Sequence, residues 1–156
     1  ILGASVGATG EVTHERLDMP AGRVRTIVAQ AIAEASRRLE DPTCQQVLTD
    51  FTDRAGHTLL ANLIVLDSTT AQYLTLVWFV DAPDGALCRG TGTVAAFTQP
   101  GSRVVSVCAA HFAELPYSSR EIVILHEMLH TLGLGENPPS SAEITKQVAF
   151  RCASSR

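Results

Sequence analysis

No apolar run in this sequence reaches the length of about 20 residues that a membrane-spanning helix needs. Clusters of charge are also missing: the net charge is −4 and the basic residues are scattered apart from Arg37-Arg38. Neither nucleic acid nor an anionic membrane is therefore an expected partner. Repeats, low-complexity tracts and linker-like shifts in composition are absent as well. With 156 residues, 46% of them hydrophobic, the chain is expected to form one compact domain over residues 1–156 and to be a monomer.

Paired CxxC motifs and zinc-ribbon spacings are likewise absent. The four cysteines are an even number at wide spacing, which favours two disulfides, although buried free thiols are the alternative. Disulfides would place the protein in an extracytoplasmic or secreted location. Three pairings are open from the sequence; the preferred one joins Cys88 to Cys108, around a hairpin, and Cys44 to Cys152, at the C-terminal helix.

Hydrophobic periodicity predicts alternating helices and strands. The chain starts at Ile1, so we expect a processed or trimmed start, and residues 1–13 are expected to be a loose lead-in. The turn signal Gln-Pro-Gly-Ser at residues 99–102 should join two strands. A mixed sheet in an α/β arrangement follows from the order of these elements: a helix over 20–39, a strand over 45–51, a short helix over 57–66, strands over 74–80, 91–97 and 103–108, and helices over 119–132 and 141–152.

The most informative stretch is residues 126–130, which read His-Glu-Met-Leu-His. On a helix, His126 and His130 lie one turn apart on one face, so both imidazoles can bind one metal ion. Glu127 is then placed to act on a water molecule at that metal. Two ordinary surface or core histidines are the alternative, but the intervening Glu favours a zinc-hydrolase helix. The helix itself is indicated by a capping box at Ser118 and Glu121, by regularly spaced apolar residues and by a stop at Gly133.

A catalytic zinc ion usually has three protein ligands. The turn that Gly133 allows would bring Glu136 back beneath the metal, so Glu136 is the preferred third ligand. Glu143 is the competing candidate. However, Ser140 and Glu143 also form a capping-box pattern, which would give Glu143 a structural role at the start of the last helix.

The eleven residues HEMLHTLGLGE resemble the extended motif HExxHxxGxxH of the metzincins, with Glu136 where most members have a third His. Small snapalysin-type secreted proteases have an Asp there, so a carboxylate is a known variation. The resemblance implies a zincin metallopeptidase in which an N-terminal helix and the HExxH helix pack on one mixed, twisted sheet. It also implies that the strand at residues 104–108, or the loop just after it, forms the rim of the substrate cleft.

In such a site Glu127 is expected to act as the catalytic base on a zinc-activated water, and a further donor would stabilise the oxyanion. Tyr117 is the preferred donor because it precedes the zinc helix, and His111 and Tyr73 are the other candidates. The remaining histidines, His14 and His57, are expected at the surface.

The sequence therefore predicts a zinc-dependent metallopeptidase that hydrolyses peptide or protein substrates. Two alternatives stay open. The only methionines are Met19 and Met128, so no methionine follows the motif as it does in metzincins, and the chain could be a zinc-binding domain with little activity. A zinc amidase acting on non-protein amides would use the same residues.

Overall fold

The computed structural model of the chain describes residues 5–6, 12–89 and 92–153. Along these residues, groups of strands are followed by groups of helices. In chain order they are β1 (Ser5–Val6), β2 (Val12–Thr13), β3 (Leu17–Asp18), α1 (Arg23–Arg38), α2 (Pro42–Gln45), α3 (Val47–Asp50), α4 (Leu59–Val65), a 3₁₀ turn (Tyr73–Leu76), β4 (Trp78–Asp81), β5 (Ala96–Phe97), β6 (Val104–Val107), α5 (Ala109–Glu114), α6 (Tyr117–Thr131) and α7 (Ser141–Cys152).

The larger sheet is mixed, as the order of elements predicts. Its strands lie in the order β3-β4-β6-β5, with β3, β4 and β6 parallel and β5 antiparallel to β6. Ala96 is opposite Val107 and Phe97 is opposite Ser106. Because β5 is the last strand in this order, no described strand pairs with its outer edge.

The helix α6 lies at the centre of the molecule. It packs against α1, α7 and the strands β5 and β6. Arg38 on α1 forms an ion pair with the buried Glu121 on α6, at 3.1 Å, and this pair joins the two helices. The hydrophobic core beneath them includes Val28, Ile32, Phe79, Val105, Phe112, Leu125 and Leu129, all buried.

Both preferred disulfides are present. Cys44 on α2 is bonded to Cys152 at the end of α7, and Cys88 is bonded to Cys108 at the end of β6. The first disulfide fixes the last helix to the body of the protein. None of the described helices is long and apolar enough to cross a membrane.

The strand predicted over residues 45–51 is wrong, because this segment forms α2 and α3. Asp41 caps α2 by accepting a hydrogen bond from the Thr43 N–H, and Pro42 occupies the first helical turn. Local capping therefore outweighs the strand preference of the apolar side chains that follow.

Two other strands are shorter than predicted. The segment 74–80 begins as the 3₁₀ turn and becomes a strand only at Trp78. Of residues 91–97, only Ala96–Phe97 pair in the sheet, and residue 91 lies outside the described part. Within the predicted lead-in, β1 and β2 form a short antiparallel pair, whereas residues 1–4 and 7–11 are not among the described residues.

The predicted helices are confirmed, with small shifts at their ends. The last helix has the predicted bounds, and its Ser140–Glu143 capping box is formed. The capping box predicted at Ser118 is wrong: α6 starts at Tyr117 after Pro116, so Ser118 already lies inside the helix. Glu121 consequently binds Arg38 instead of capping the helix.

Candidate metal centre

The helix α6 carries the two histidines of the motif in its last two turns. His126 and His130 are both buried, and their Nε2 atoms lie 3.1 Å apart. Glu127 lies between them in sequence and is also buried. Three polar side chains are thus buried at the C-terminal end of a helix that packs on the sheet, an arrangement that needs stabilising partners because uncompensated buried polar groups are costly.

A glycine turn ends α6 and reverses the chain beneath the histidines. Gly133 has a φ of 112°, its N–H donates to the His130 carbonyl at 3.0 Å, and the Leu134 N–H donates to the Leu129 carbonyl at 3.1 Å. These two bonds define a Schellman motif, which favours Gly at the residue with positive φ. The turn brings Glu136 back to the histidines, as the sequence predicts.

The three side chains converge on one point. Glu136 Oε1 lies 3.1 Å from His130 Nε2 and 3.6 Å from His126 Nε2. Ligand atoms at bond lengths of about 2.0–2.1 Å around a tetrahedral zinc ion are separated by about 3.3 Å. The observed edges of 3.1, 3.1 and 3.6 Å fit such a triangle and leave a fourth position open. His126, His130 and Glu136 could therefore hold a metal ion.

The hydrogen bonds behind the histidines fix which nitrogens face this point. His130 Nδ1 is 2.7 Å from the Leu134 carbonyl oxygen, which can only accept, so Nδ1 carries the proton and Nε2 of the neutral ring has a lone pair. His126 Nδ1 lies 2.9 Å from the hydroxyl of Thr145 on α7. The Thr145 hydroxyl can donate to His126 Nδ1, and in that arrangement lone pairs of both Nε2 atoms and of the Glu136 carboxylate face one point, which suits a cation there.

Burial shifts the pKa values of His126 and Glu127 in the directions that favour their neutral forms. Desolvation, and then the neighbouring His130, lower the pKa of His126, which favours its neutral, metal-binding form. Desolvation, and then the charge of Glu136, raise the pKa of Glu127 to about 8. A cation held by the triad would oppose the second shift, since positive charge favours the ionised carboxylate.

Glu127 has an unused hydrogen-bonding atom. Its Oε2 is buried and has no partner, one of three such side-chain atoms in the described part of the chain. A buried carboxylate oxygen without a partner is costly unless a ligand or a water molecule satisfies it. The Glu127 Oε2 atom, buried without a partner beside the candidate metal triad, is a second observation that fits a hydrolytic metal site. It is independent of the distances between the ligand atoms.

The site opens into a cleft of about 880 Å³. One wall is α6 with the residues of the triad, and the other is formed by β5, β6 and the turn between them. Val104 and Ser106 of the predicted rim at 104–108 line this cleft, but β6 is paired on both sides, and β5 is the edge strand beside the cleft. The lining includes Val94, Ala96, Phe97, Thr98, Gln99, Pro100, Val104 and Ser106.

The predicted oxyanion donors do not line this cleft. Tyr117 is 73% exposed at the start of α6, about 13 Å along the helix axis from His126. Tyr73 is buried and its hydroxyl lies 3.0 Å from Thr131 Oγ1, beneath α6. His111 Nδ1 donates to the carbonyl of the cleft residue Val94 at 2.8 Å, so it supports the wall behind the lining residues. The position of Tyr117 gives its predicted catalytic role no support.

The other sequence candidates fall in different places. Glu143 accepts the Ser140 N–H in the capping box and is not part of the metal cluster. His57 is exposed, as predicted. His14 is buried, so the prediction that it lies at the surface is wrong; its ring packs edge-on against Phe79 of β4, and its Nε2 lies 3.4 Å from the Val77 carbonyl oxygen.

Two residues near the site have no signal in the sequence. Thr145 supports His126 from α7, and Arg54 lines the cleft from the loop before α4. Neither belongs to a motif, and both reach the site only through long-range packing. Comparison of the chain with protein-family models, with curated proteins and with solved structures found no match in any of the three. Function is therefore inferred from the geometry of the site.

Proposed function

We propose that this chain is a zinc-dependent metallopeptidase that hydrolyses peptide bonds. One observation carries the proposal: His126, His130 and Glu136 converge at ligand distances while the partnerless Glu127 carboxylate lies beside them in an open cleft. Two imidazoles, one carboxylate and an open fourth position are the donor set of catalytic zinc rather than of structural zinc. A zinc ion bound there would polarise a carbonyl oxygen and would lower the pKa of a water molecule to about 7.

The residues of the chain supply the proton transfers. Glu127 would accept a proton from the attacking water on its free Oε2 and then deliver it to the nitrogen of the leaving amine. Burial raises the pKa of Glu127 and a cation in the triad would lower it again, and a carboxyl group with a pKa between its usual value and neutrality can both accept and donate a proton. Two hydrogen bonds would hold the imidazoles in the orientation that ligation requires: the one between His126 and the Thr145 hydroxyl, and the one that His130 donates to the Leu134 carbonyl.

The outer edge of β5 is the proposed binding surface for the substrate backbone. An exposed strand edge presents free N–H and C=O groups, and an extended peptide can pair with it. Since β5 forms one wall of the cleft, a peptide paired there would pass the triad. This surface favours extended peptide substrates over compact non-protein amides.

An extracytoplasmic location belongs to the same proposal. Both disulfides are formed from the four cysteines, and none of the cysteines is free. Disulfides persist in oxidising compartments and are rare in a reducing cytosol. A secreted peptidase would have access to such a compartment.

The experiment compares wild type, Glu127→Gln and the matched control Glu40→Gln on a mixed peptide library, with zinc content measured for each. Glu40 is exposed and distant in sequence from the motif. We expect all three to bind about one zinc, and Glu127→Gln to lose about 10²- to 10⁴-fold in turnover because an amide cannot accept the proton. Wild type that binds zinc but cleaves no peptide would refute the proposal, in favour of a zinc-binding domain, and cleavage of muropeptides alone would favour an amidase.

A further inference from the structure

The loop between α3 and α4 has an ordered turn that places Arg54 at the cleft. The Asp53 carboxylate accepts hydrogen bonds from the N–H groups of Ala55 and His57, both at 2.9 Å, and from Asn62 Nδ2 at 3.0 Å. These bonds, together with a β-bridge between Thr52 and Thr58, fix the backbone on both sides of Arg54. The backbone position of Arg54 is therefore set by the loop, and its exposed side chain extends from an ordered turn.

The same loop is fastened to the turn that carries Glu136. Asn62 Nδ2 also donates to the Leu132 carbonyl at 2.9 Å. A Cβ atom on Gly133 would lie 3.3 Å from both the Asn62 side chain and Asp53 Cβ, so the two segments are in close contact. Arg54 and Glu136 consequently keep a fixed relative position.

The guanidinium of Arg54 lies against the backbone at Gly135. A Cβ atom there would be 3.0 Å from Arg54 Nε and 3.7 Å from Cζ, so the absence of a side chain allows this approach. Among the described residues that line the cleft, Arg54 is the one Lys or Arg. It also lines a second cavity of about 640 Å³, on the other side of Glu136, so it stands where the two cavities meet.

The charge of Arg54 has no partner in the described part of the chain. The nearby acidic groups are engaged elsewhere: Asp53 with Asn62 and His57, Asp50 with Arg151, and Glu136 with the histidines. Arginine presents a planar fork of donors that matches a carboxylate in a bidentate pair. An exposed arginine that has no charge partner among the described residues, on an ordered turn at the wall of a cleft, thus has the chemistry of a carboxylate-binding subsite.

We infer that Arg54 binds a carboxylate of the substrate and makes this site selective for peptides that carry one close to the cleaved bond. The inference rests on the proposed peptidase function and adds the class of substrate. The guanidinium of Arg54 lies at Gly135, which directly precedes the proposed ligand Glu136. Because an extended chain advances about 3.4 Å per residue, the bound carboxylate should belong to a substrate residue within about three positions of the cleaved bond. An Asp or Glu side chain and the C-terminal carboxylate are the two sources of that group.

The test uses peptide pairs that differ only in Glu or Gln at one position, each made with a free and with an amidated C-terminus. Wild type, Arg54→Gln, Arg54→Lys and the control Arg23→Gln are compared by kcat/KM. Arg23 is exposed at the start of α1 and does not line the cleft. We expect wild type to prefer one carboxylate by about tenfold, Arg54→Gln to lose the preference, Arg54→Lys to keep part of it and Arg23→Gln to keep all of it.

The pattern across peptides identifies the source of the carboxylate. A preference for Glu at one position in amidated peptides assigns an acidic side chain, and a preference for the free C-terminus assigns the terminal group. Arg54→Glu should reverse the preference towards Lys at the same position, because it replaces the attractive charge with a repulsive one. Equal loss of activity on all peptides in Arg54→Gln would overturn the inference, since the residue would then act on the reaction itself.

A binding measurement separates this inference from the proposed function. Zinc-loaded Glu127→Gln and Glu127→Gln/Arg54→Gln are titrated with the same Glu and Gln peptides by calorimetry. Tighter binding of the carboxylate peptide that disappears with Arg54→Gln supports the subsite even if wild type cleaves nothing, in which case only the peptidase proposal fails. Equal binding of the two peptides overturns the subsite, whatever the activity of wild type.

Discussion

Opening the disulfide between Cys44 and Cys152 should weaken metal binding, although neither cysteine belongs to the candidate metal cluster. The helix α7 is the connection: Thr145 on its second turn bonds the His126 ring at 2.9 Å, and Cys152 at its end is bonded to α2. If α7 moves, His126 loses the group that fixes its orientation. The variant is Cys44→Ser/Cys152→Ser, which leaves no free thiol.

The second disulfide provides a matched control for the general effect on stability. The two bridges span sequence separations of 108 and 20 residues. In the chain-entropy account these loops contribute about 4.8 and about 3.3 kcal/mol at 25 °C, so the first double variant should be the less stable by about 1.5 kcal/mol. Cys88→Ser/Cys108→Ser leaves α7 attached and should change stability without changing the support of His126.

Zinc affinity, measured by competition with a chelator in the folded protein, distinguishes the two variants. We expect Cys44→Ser/Cys152→Ser to lose about tenfold, at the lower end of the effect of removing an outer partner, because other contacts still hold α7. Those contacts are the ion pair between Arg151 and Asp50 and the bond from Arg38 to the Cys152 carbonyl. Equal affinities in the two double variants would refute the link between α7 and the metal site.

Three further predictions concern single residues of the site. Glu136→Ala should abolish stoichiometric zinc binding in elemental analysis, whereas Glu143→Ala should keep it and lose about 1 kcal/mol of stability in urea unfolding through the broken capping box. Thr145→Val should lower zinc affinity about tenfold, measured with the same chelator, and Thr145→Ser should retain it. Burial raises the pKa of Glu127 to about 8 from 4.5, so in the metal-free protein this group should contribute a loss of stability of up to about 5 kcal/mol as the pH rises from about 4.5 to about 8. Lowering of the His126 pKa contributes with the opposite sign, so the difference between wild type and Glu127→Gln in urea unfolding isolates the Glu127 contribution.

Patterns that act within a few residues predict much of this fold. The spacing of His126 and His130 requires only a helix, and the positive φ at Gly133 requires only the local backbone. The capping box at Ser140 and the preferred disulfide partners are also as predicted. The helix spacing, the glycine turn and the capping box depend on residues that are close together in the sequence. The disulfides depend on a choice among only three possible pairings of four cysteines.

The predictions that are wrong concern residues whose surroundings depend on distant parts of the chain. Ser118 has the spacing of a capping box with Glu121, but Arg38 on another helix pairs with Glu121, and Pro116 starts the helix earlier. His14 was expected at the surface because a single histidine gives no sign of burial, whereas the sheet places it against Phe79. In both cases a partner far away in the sequence decides the outcome.

The separation in sequence between contacting residues also distinguishes the candidate metal triad from the groups around it. The triad lies within a stretch of eleven residues, so a motif can specify it. By contrast, Thr145 is 19 residues from His126, and Asn62, which fastens the Arg54 loop, is 70 residues from Leu132. Short-range patterns cannot encode those contacts, because they form only when α4 and α7 pack against the end of α6. The candidate metal triad is therefore predictable from the sequence of this chain, whereas the orientation of its histidines and the proposed substrate subsite depend on how the helices pack.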